Sequence, residues 1–133
     1  MTQSQNRDVS PAWIAAAALI GAVSVVAGAF AAHGFDPTTE ARQIGWLHTG
    51  SLYAALHALA MLATVALTRI AALSSRFSVF ALWLFLAGSI IFPGALYGLA
   101  LGGPLWLGAI APAGGTAFIL GWAALAASAL KRS

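Results

Sequence analysis

Charge is nearly absent from this sequence, and the places where it is missing decide what the chain can become. Six Lys or Arg and three Asp or Glu occur in 133 residues, at positions 7, 8, 36, 40, 42, 69, 76, 131 and 132. Between them lie charge-free stretches at 9–35, 43–68 and 77–130, of 27, 26 and 54 residues. The last is twice the first, so the chain reads as four uncharged units of similar length. A soluble domain carries roughly 25% charged residues; this chain carries 7%, with 61% hydrophobic. Nine charges cannot solvate the surface of a water-soluble fold. Disorder needs low hydrophobicity and high charge, which is the opposite composition. The solvent is therefore lipid, where only helices or a closed barrel satisfy every backbone polar group. The apolar runs are unbroken, rich in Ala and Leu, and lack the period-two alternation of a barrel strand.

The expected fold is all-α: a four-helix transmembrane bundle spanning 12–132 as one domain, behind a polar tail at 1–11. Helix one is expected over Ala12–Ala32, with Ser10 as N-cap, Pro11 at the first position and His33-Gly34 at its end. Helix two has its apolar body over Trp46–Thr68, stopped by Arg69. Helix three runs over Phe77–Leu101 and ends at Gly102-Gly103-Pro104, a strong breaker. Helix four runs over Gly114–Leu130, with Pro112 ahead of it and Lys131-Arg132 behind. Each span meets the length a bilayer core requires. With four spans, Arg7, Arg69, Arg76, Lys131 and Arg132 share one side, and only Arg42 lies on the other. The positive-inside rule then puts both termini in the cytoplasm. Trp13, Trp46 and Trp106 fall near the expected interfaces, as aromatic belts require. Ala29-Phe30-Ala31 has the form of a signal-peptidase site. A stretch of about twenty apolar residues is long for a signal core, and Asp8 balances Arg7, so the helix is read as retained.

Several classes of chemistry fall away. Without cysteine there is no disulfide, thiolate metal site, iron–sulfur cluster or Cys nucleophile. No basic cluster is interleaved with aromatics, so no nucleic acid is expected as a partner. No GxSxG motif or phosphate loop is present. No carboxylate lies within a span, which proton-coupled carriers usually need.

What remains is a short set of candidates. In 36–47, Asp36 suits an N-cap with Pro37 at the first position and Glu40 in the first turn. Helix two is then expected to begin near Thr38, as a solvated extension or a docking surface at the outer interface. Gly94, Gly98 and Gly102 repeat every four residues, and Ser24, Gly28 and Ala32 do the same on helix one. Gly121, Ala124 and Ser128 follow a three–four spacing on helix four. Such faces let helix backbones approach closely in lipid, inside the bundle first and against a second copy or partner subunit where a face is left over. Pro93 cannot donate to the carbonyl at 89, so a kink or local break is expected, with Ser89 helping to satisfy the freed backbone groups.

His57 falls twelve residues before Arg69, about 18 Å of helix, near the membrane midplane. An ionisable group there is a functional candidate by default. Tyr53 lies one turn earlier on the same face. The plainer expectation is a neutral imidazole hydrogen-bonded to Tyr or backbone. His33 and His48 belong to the outer end, near Asp36 and Glu40. His48 and His57 are nine residues apart, about 13.5 Å along one helix and on opposite faces, so they cannot share an ion. A surface pair of His33 and His48, with Asp36, stays geometrically open.

The stretches GAFAAHG (28–34), YAALHALA (53–60), PGALYGLAL (93–101), APAGG (111–115) and Gly121-Trp122 together resemble the domain-of-unknown-function 423 family of small inner-membrane proteins. The resemblance covers about residues 20–125. It implies a four-helix protein of the bacterial inner membrane and no established activity. The family usually has Phe-Ser-Gly-Ser where Phe92 is followed here by Pro93, Gly94 and Ala95. It has Thr and Ile where Ala111 and Ala113 stand.

From these residues the chain is expected to be non-enzymatic and to hold no cofactor. It is expected to work by contact with lipid, with a second copy of itself or with a membrane-protein partner. A small transporter or channel built around His57, Tyr53 and the Pro93 break is the second reading. A haem- or metal-binding subunit using His33 and His48 is the third.

Overall fold

In a computed structural model that describes residues 9–131, the chain forms four helices: α1 (Pro11–His33), α2 (Ala41–Arg69), α3 (Ser75–Ala100) and α4 (Leu107–Leu130). All four are long and apolar enough to cross a membrane. The polar tail through Asp8, with Arg7, and the last two residues, Arg132 and Ser133, lie outside the described residues.

The chain runs up and down. At one end, the Arg69 guanidinium donates to the Val9 carbonyl at 3.4 Å, and the Ser74 amide donates to the Ser128 carbonyl at 3.1 Å. Val9, the α2–α3 turn and the end of α4 therefore share that end. At the other end, Phe35 and Trp46 cover Ala31, Leu47 and Ala100. Helix α1 packs on α2, α2 on α3, and α3 most closely on α4, while α1 barely touches α3. The core lies along α2 and α3 and is built on Met61, Leu82 and Phe85, with Phe118 of α4 and Ala17 of α1 against them. Large apolar side chains such as Leu19, Val25, Leu59, Ile90 and Ile119 point outward instead. That inversion is the expected surface of a protein whose solvent is hydrocarbon.

Local chemistry explains each boundary. Helix α1 starts as its sequence predicts: the Ser10 hydroxyl accepts from the Ala12 amide at 3.1 Å and Pro11 opens the first turn. Two other helices end in the same six-residue motif. After α2, the Ala72 amide reaches the Leu67 carbonyl at 2.9 Å and the Ala71 amide reaches Thr68 at 3.1 Å. After α3, the Gly103 amide reaches Gly98 at 2.7 Å and the Gly102 amide reaches Leu99 at 3.2 Å. Both are Schellman closures, which place one residue in the left-handed region. Gly102 (φ 85°) takes that conformation freely, but Ala71 (φ 57°) must do so with a Cβ.

Three expectations need correction. Helix α2 begins at Ala41, not near Thr38. The Asp36 carboxylate does accept from the Thr38 amide (2.8 Å) and hydroxyl (2.6 Å), but it closes a turn over 36–40. The Glu40 carboxylate reaches back to the Asp36 amide at 2.8 Å and locks that turn, so the helix starts only after it. Helix α4 begins at Leu107, two turns before the expected Gly114, and runs through Pro112. Helix α3 also runs on through Pro93, so of the kink or local break expected there the break does not occur. In lipid, unwinding a helix strands several backbone groups, whereas an internal proline forfeits one bond; prolines are correspondingly weak stops. Nor does Ser89 relieve the backbone at Pro93, since its hydroxyl is buried without any partner.

Candidate functional site

His57 is the one buried histidine, 3% exposed, and it sits where α2, α3 and α4 meet. Its Nδ1 lies 2.7 Å from the Tyr53 carbonyl, one turn back on α2. Its Nε2 lies 3.1 Å from the indole Nε1 of Trp122 on α4. A carbonyl only accepts and an indole N–H only donates. The proton must therefore sit on Nδ1 and the lone pair on Nε2, which defines a neutral imidazole with both nitrogens engaged. Phe118 stacks on the ring with centroids 3.5 Å apart and planes within 10°. Phe85 closes another side at 5.5 Å.

Small residues make this cluster possible. A Cβ on Gly121 would fall 2.7 Å from the Phe85 ring, and one on Gly88 would fall 2.5 Å from the Phe118 ring. A Cβ on Gly114 would meet the Phe92 backbone nitrogen at 2.5 Å. The α3–α4 seam is thus a set of glycines, each facing a phenylalanine of the other helix. Below it, at the Arg69 end, Ser78 and Ser128 hydroxyls lie 2.9 Å apart. The Ser128 hydroxyl donates to the Ser74 carbonyl at 2.8 Å, clamping α3 to α4 without charge.

The other candidates scatter. Tyr53 is half-exposed, and its link to His57 runs through its backbone carbonyl rather than its hydroxyl; its ring packs against Phe92 at 5.0 Å. His33 and His48 are exposed on different helices. Among the described residues, no three His, Asp or Glu side chains gather to hold a metal ion, so His33, His48 and Asp36 do not form one site. Gly28 faces the Ser51 hydroxyl, which donates to the Ser24 carbonyl across α1 and α2. Gly98 is covered by Leu107, whereas Gly94 and Gly102 have nothing within 4 Å. Ala32 is exposed, and the buried row of α1 is Ala17, Ser24, Ala27 and Ala31.

Two grooves open to the sides. One, of about 450 Å³, runs between α1 and α2 and is lined by Ser24, Gly28, Ala29, His48, Ser51 and Ala55, with Val25 and Leu52 at its rim. The other, of about 220 Å³, lies where α1 stands away from α3. It is lined by Leu19, Ile20, Val23, Ala54, Ser89, Pro93 and Tyr97. Sequence reading missed the roles of Trp122, Phe118 and Tyr97. A usable signal existed for the last: Ser89, Pro93 and Tyr97 are spaced i, i+4, i+8 on one face of α3.

Comparison with known proteins agrees with the architecture. A UPF0382 membrane protein of Haemophilus influenzae is 39% identical over 114 residues, covering 86% of this chain and 90% of that one. The UPF0382 inner membrane protein YgdD of Escherichia coli is 37% identical over 118 residues, 86% of each chain. The UPF0382 membrane protein YwdK of Bacillus subtilis is 34% identical over 118 residues, 85% of this chain and 94% of that one. No solved structure matches. The family model described as a protein of unknown function, DUF423, matches residues 27–115. With its four spans, the chain therefore belongs to the DUF423 family of multi-pass inner-membrane proteins.

Proposed function

We propose that this protein is non-enzymatic and acts by contact inside the bilayer, with both termini in the cytoplasm. The observation that carries this reading is the state of His57. It is the single ionisable histidine within the buried core, and both of its nitrogens are spent on Tyr53 and Trp122. A proton relay or an ion-coordinating group needs a free nitrogen facing a path. His57 instead joins α2 to α4 as part of the packing. The continuity of α3 through Pro93 points the same way, because a broken helix is what opens a transporter's substrate site.

The contact surface best suited to a second transmembrane helix, from another copy or a partner subunit, is the α1–α2 groove. Its floor is small and hydroxyl-bearing, the composition that lets helices approach and hydrogen-bond in lipid. The test is purification in mild detergent with native mass measurement. Ala29→Leu with Ala55→Leu fills the groove, and the expected result is loss of the assembled species with unchanged thermal stability. A wild-type monomer without any co-purifying protein overturns the groove assignment. Proton flux in proteoliposomes that a folded His57→Ala variant abolishes overturns the contact reading in favour of transport.

A further inference from the structure

We infer that the cleft between α1 and α3 binds a lipid-soluble ring compound bearing carbonyl or hydroxyl oxygens, of the quinone or quinol class. This goes beyond the contact reading and uses a different face of the bundle. The starting observation is a pair of orphaned polar atoms. The Ser89 Oγ and the Tyr97 hydroxyl are both buried, and neither has a hydrogen-bond partner. Among the described residues the other buried hydroxyls of the spans find partners: Ser24 donates to Gly21, Thr64 to Ala60, Thr68 to Thr64 and Ser78 to Ser74. An unpaired buried hydroxyl is costly, so two of them on residues that line one cleft mark a place where a partner is missing.

A third polar group adds to them. Pro93 has no N–H, so the Ser89 carbonyl loses its usual helical donor. Two donors and one acceptor thus belong to residues bordering a cleft otherwise lined by Leu19, Ile20, Val23, Ala54 and Pro93. That is the usual make-up of a small-molecule site, an apolar wall with a few placed polar groups.

Size and depth select the occupant. About 220 Å³ exceeds the roughly 150 Å³ cavity that takes up benzene, so one substituted ring fits. Ser89 lies fourteen residues into the 26-residue α3, about 21 Å along an axis of about 39 Å. Phospholipid headgroups stay at the interface, and only molecules that dissolve in the hydrocarbon reach this depth. Ring oxygens would accept from Ser89 and Tyr97, and a quinol hydroxyl would donate to the Ser89 carbonyl. An isoprenoid or alkyl tail would leave between α1 and α3 into lipid.

Both hydroxyl oxygens are recessed behind the cavity wall, out of reach of water. Water therefore does not satisfy them, and a ligand must draw them forward. A χ1 rotation of Ser89 does this at one side, and α1, which hardly touches α3, is the wall free to yield.

The test is a titration of the intact protein in nanodiscs with decylubiquinone, its quinol, a long-chain isoprenoid alcohol and a plain alkane of matching length. Binding is read by equilibrium partition and by thermal shift. Expected is saturable binding of one quinone or quinol per chain, with the alkane inactive. Ser89→Ala and Tyr97→Phe should each weaken it by about three- to tenfold, the loss of one hydrogen bond. Both variants should unfold at or above the wild-type temperature, because each removes an unpaired polar atom. Val23→Trp, at the cavity mouth, should block binding. Absence of saturable binding, equal binding by the alkane, or binding unchanged in both hydroxyl variants overturns the assignment. A preference for the alcohol over the quinone overturns the ring class. The Ala29→Leu and Ala55→Leu groove variant should bind quinone normally, so this site and the contact surface fail independently.

Discussion

At the residue scale, the informative groups are polar side chains that lipid would otherwise penalise. His57 has only one arrangement that satisfies it, with Nδ1–H toward Tyr53 and Nε2 toward the Trp122 indole. Trp122→Phe keeps an aromatic ring there but removes the donor. It should cost about 1–3 kcal/mol, read as a lower unfolding midpoint in detergent. An effect as small as that of an outward-facing substitution such as Ile119→Val would show that the pair contributes nothing. Asp36, outside the membrane, is governed by different physics. The Thr38 hydroxyl and amide hold its carboxyl below the ordinary value of 3.8, and Glu40 ties the same turn from the other side. A carboxyl held low in the folded state supports the turn fully above the unfolded value. That support fades as pH falls through the lower folded value. Hydrogen exchange at the Thr38 amide should therefore be unchanged from neutral pH down to about pH 4, and accelerate relative to its neighbours only below that. Asp36→Ala should give the fast behaviour at every pH.

At the scale of the elements, two helix ends with one motif make a matched pair. Ala71 holds a left-handed conformation that glycine holds at Gly102. Ala71→Gly should therefore stabilise the protein by about 1 kcal/mol, and Gly102→Ala should destabilise it by a similar amount, both read by thermal unfolding. Equal signs for the two would refute the Schellman assignment. The α3–α4 seam gives a second contrast. Gly114→Ala puts a Cβ against the Phe92 backbone and should cost about 1–3 kcal/mol. Gly94→Ala meets nothing and should be neutral or stabilising by up to about 1 kcal/mol. The spans themselves were legible because charge and apolar length are read directly by lipid. The α1 start was legible too, since Ser10-Pro11 is a local signal. The α4 start was not, because Pro112 reads as a stop in water and is passed over in a membrane. His57 could be placed at mid-depth from its distance to Arg69. Its partner Trp122 could not be found, because it lies 65 residues away and only tertiary packing joins the two. The four-residue glycine repeat was visible, yet it did not predict the seam. Gly98 faces Leu107 and Gly94 faces outward, while the closest approaches occur at Gly88 and Gly114.

At the scale of the whole molecule, the bundle is uneven. Helices α3 and α4 are locked by the glycine–phenylalanine seam and the Ser78–Ser128 clamp. Helix α1 is held mainly by α2, with a groove on one flank and the Ser89–Tyr97 cleft on the other. Both proposed contact sites therefore involve the helix with the fewest obligations to the core. The up-and-down course makes a topological prediction that the natural lack of cysteine renders simple to test. Ala72→Cys, in the Arg69–Arg76 turn, should react with an impermeant maleimide only after the cells are opened. Thr39→Cys, in the opposite turn, should react on intact cells. The reverse pattern would invert the orientation. The central claim, that the one buried histidine belongs to the packing and does no chemistry, is tested most directly by nitrogen-15 histidine NMR of the protein in nanodiscs at neutral pH. The account predicts a His57 ring protonated on Nδ1 alone, with an Nε2 lone pair that shifts when Trp122 is changed to Phe. A proton on Nε2, or on both nitrogens, would contradict it.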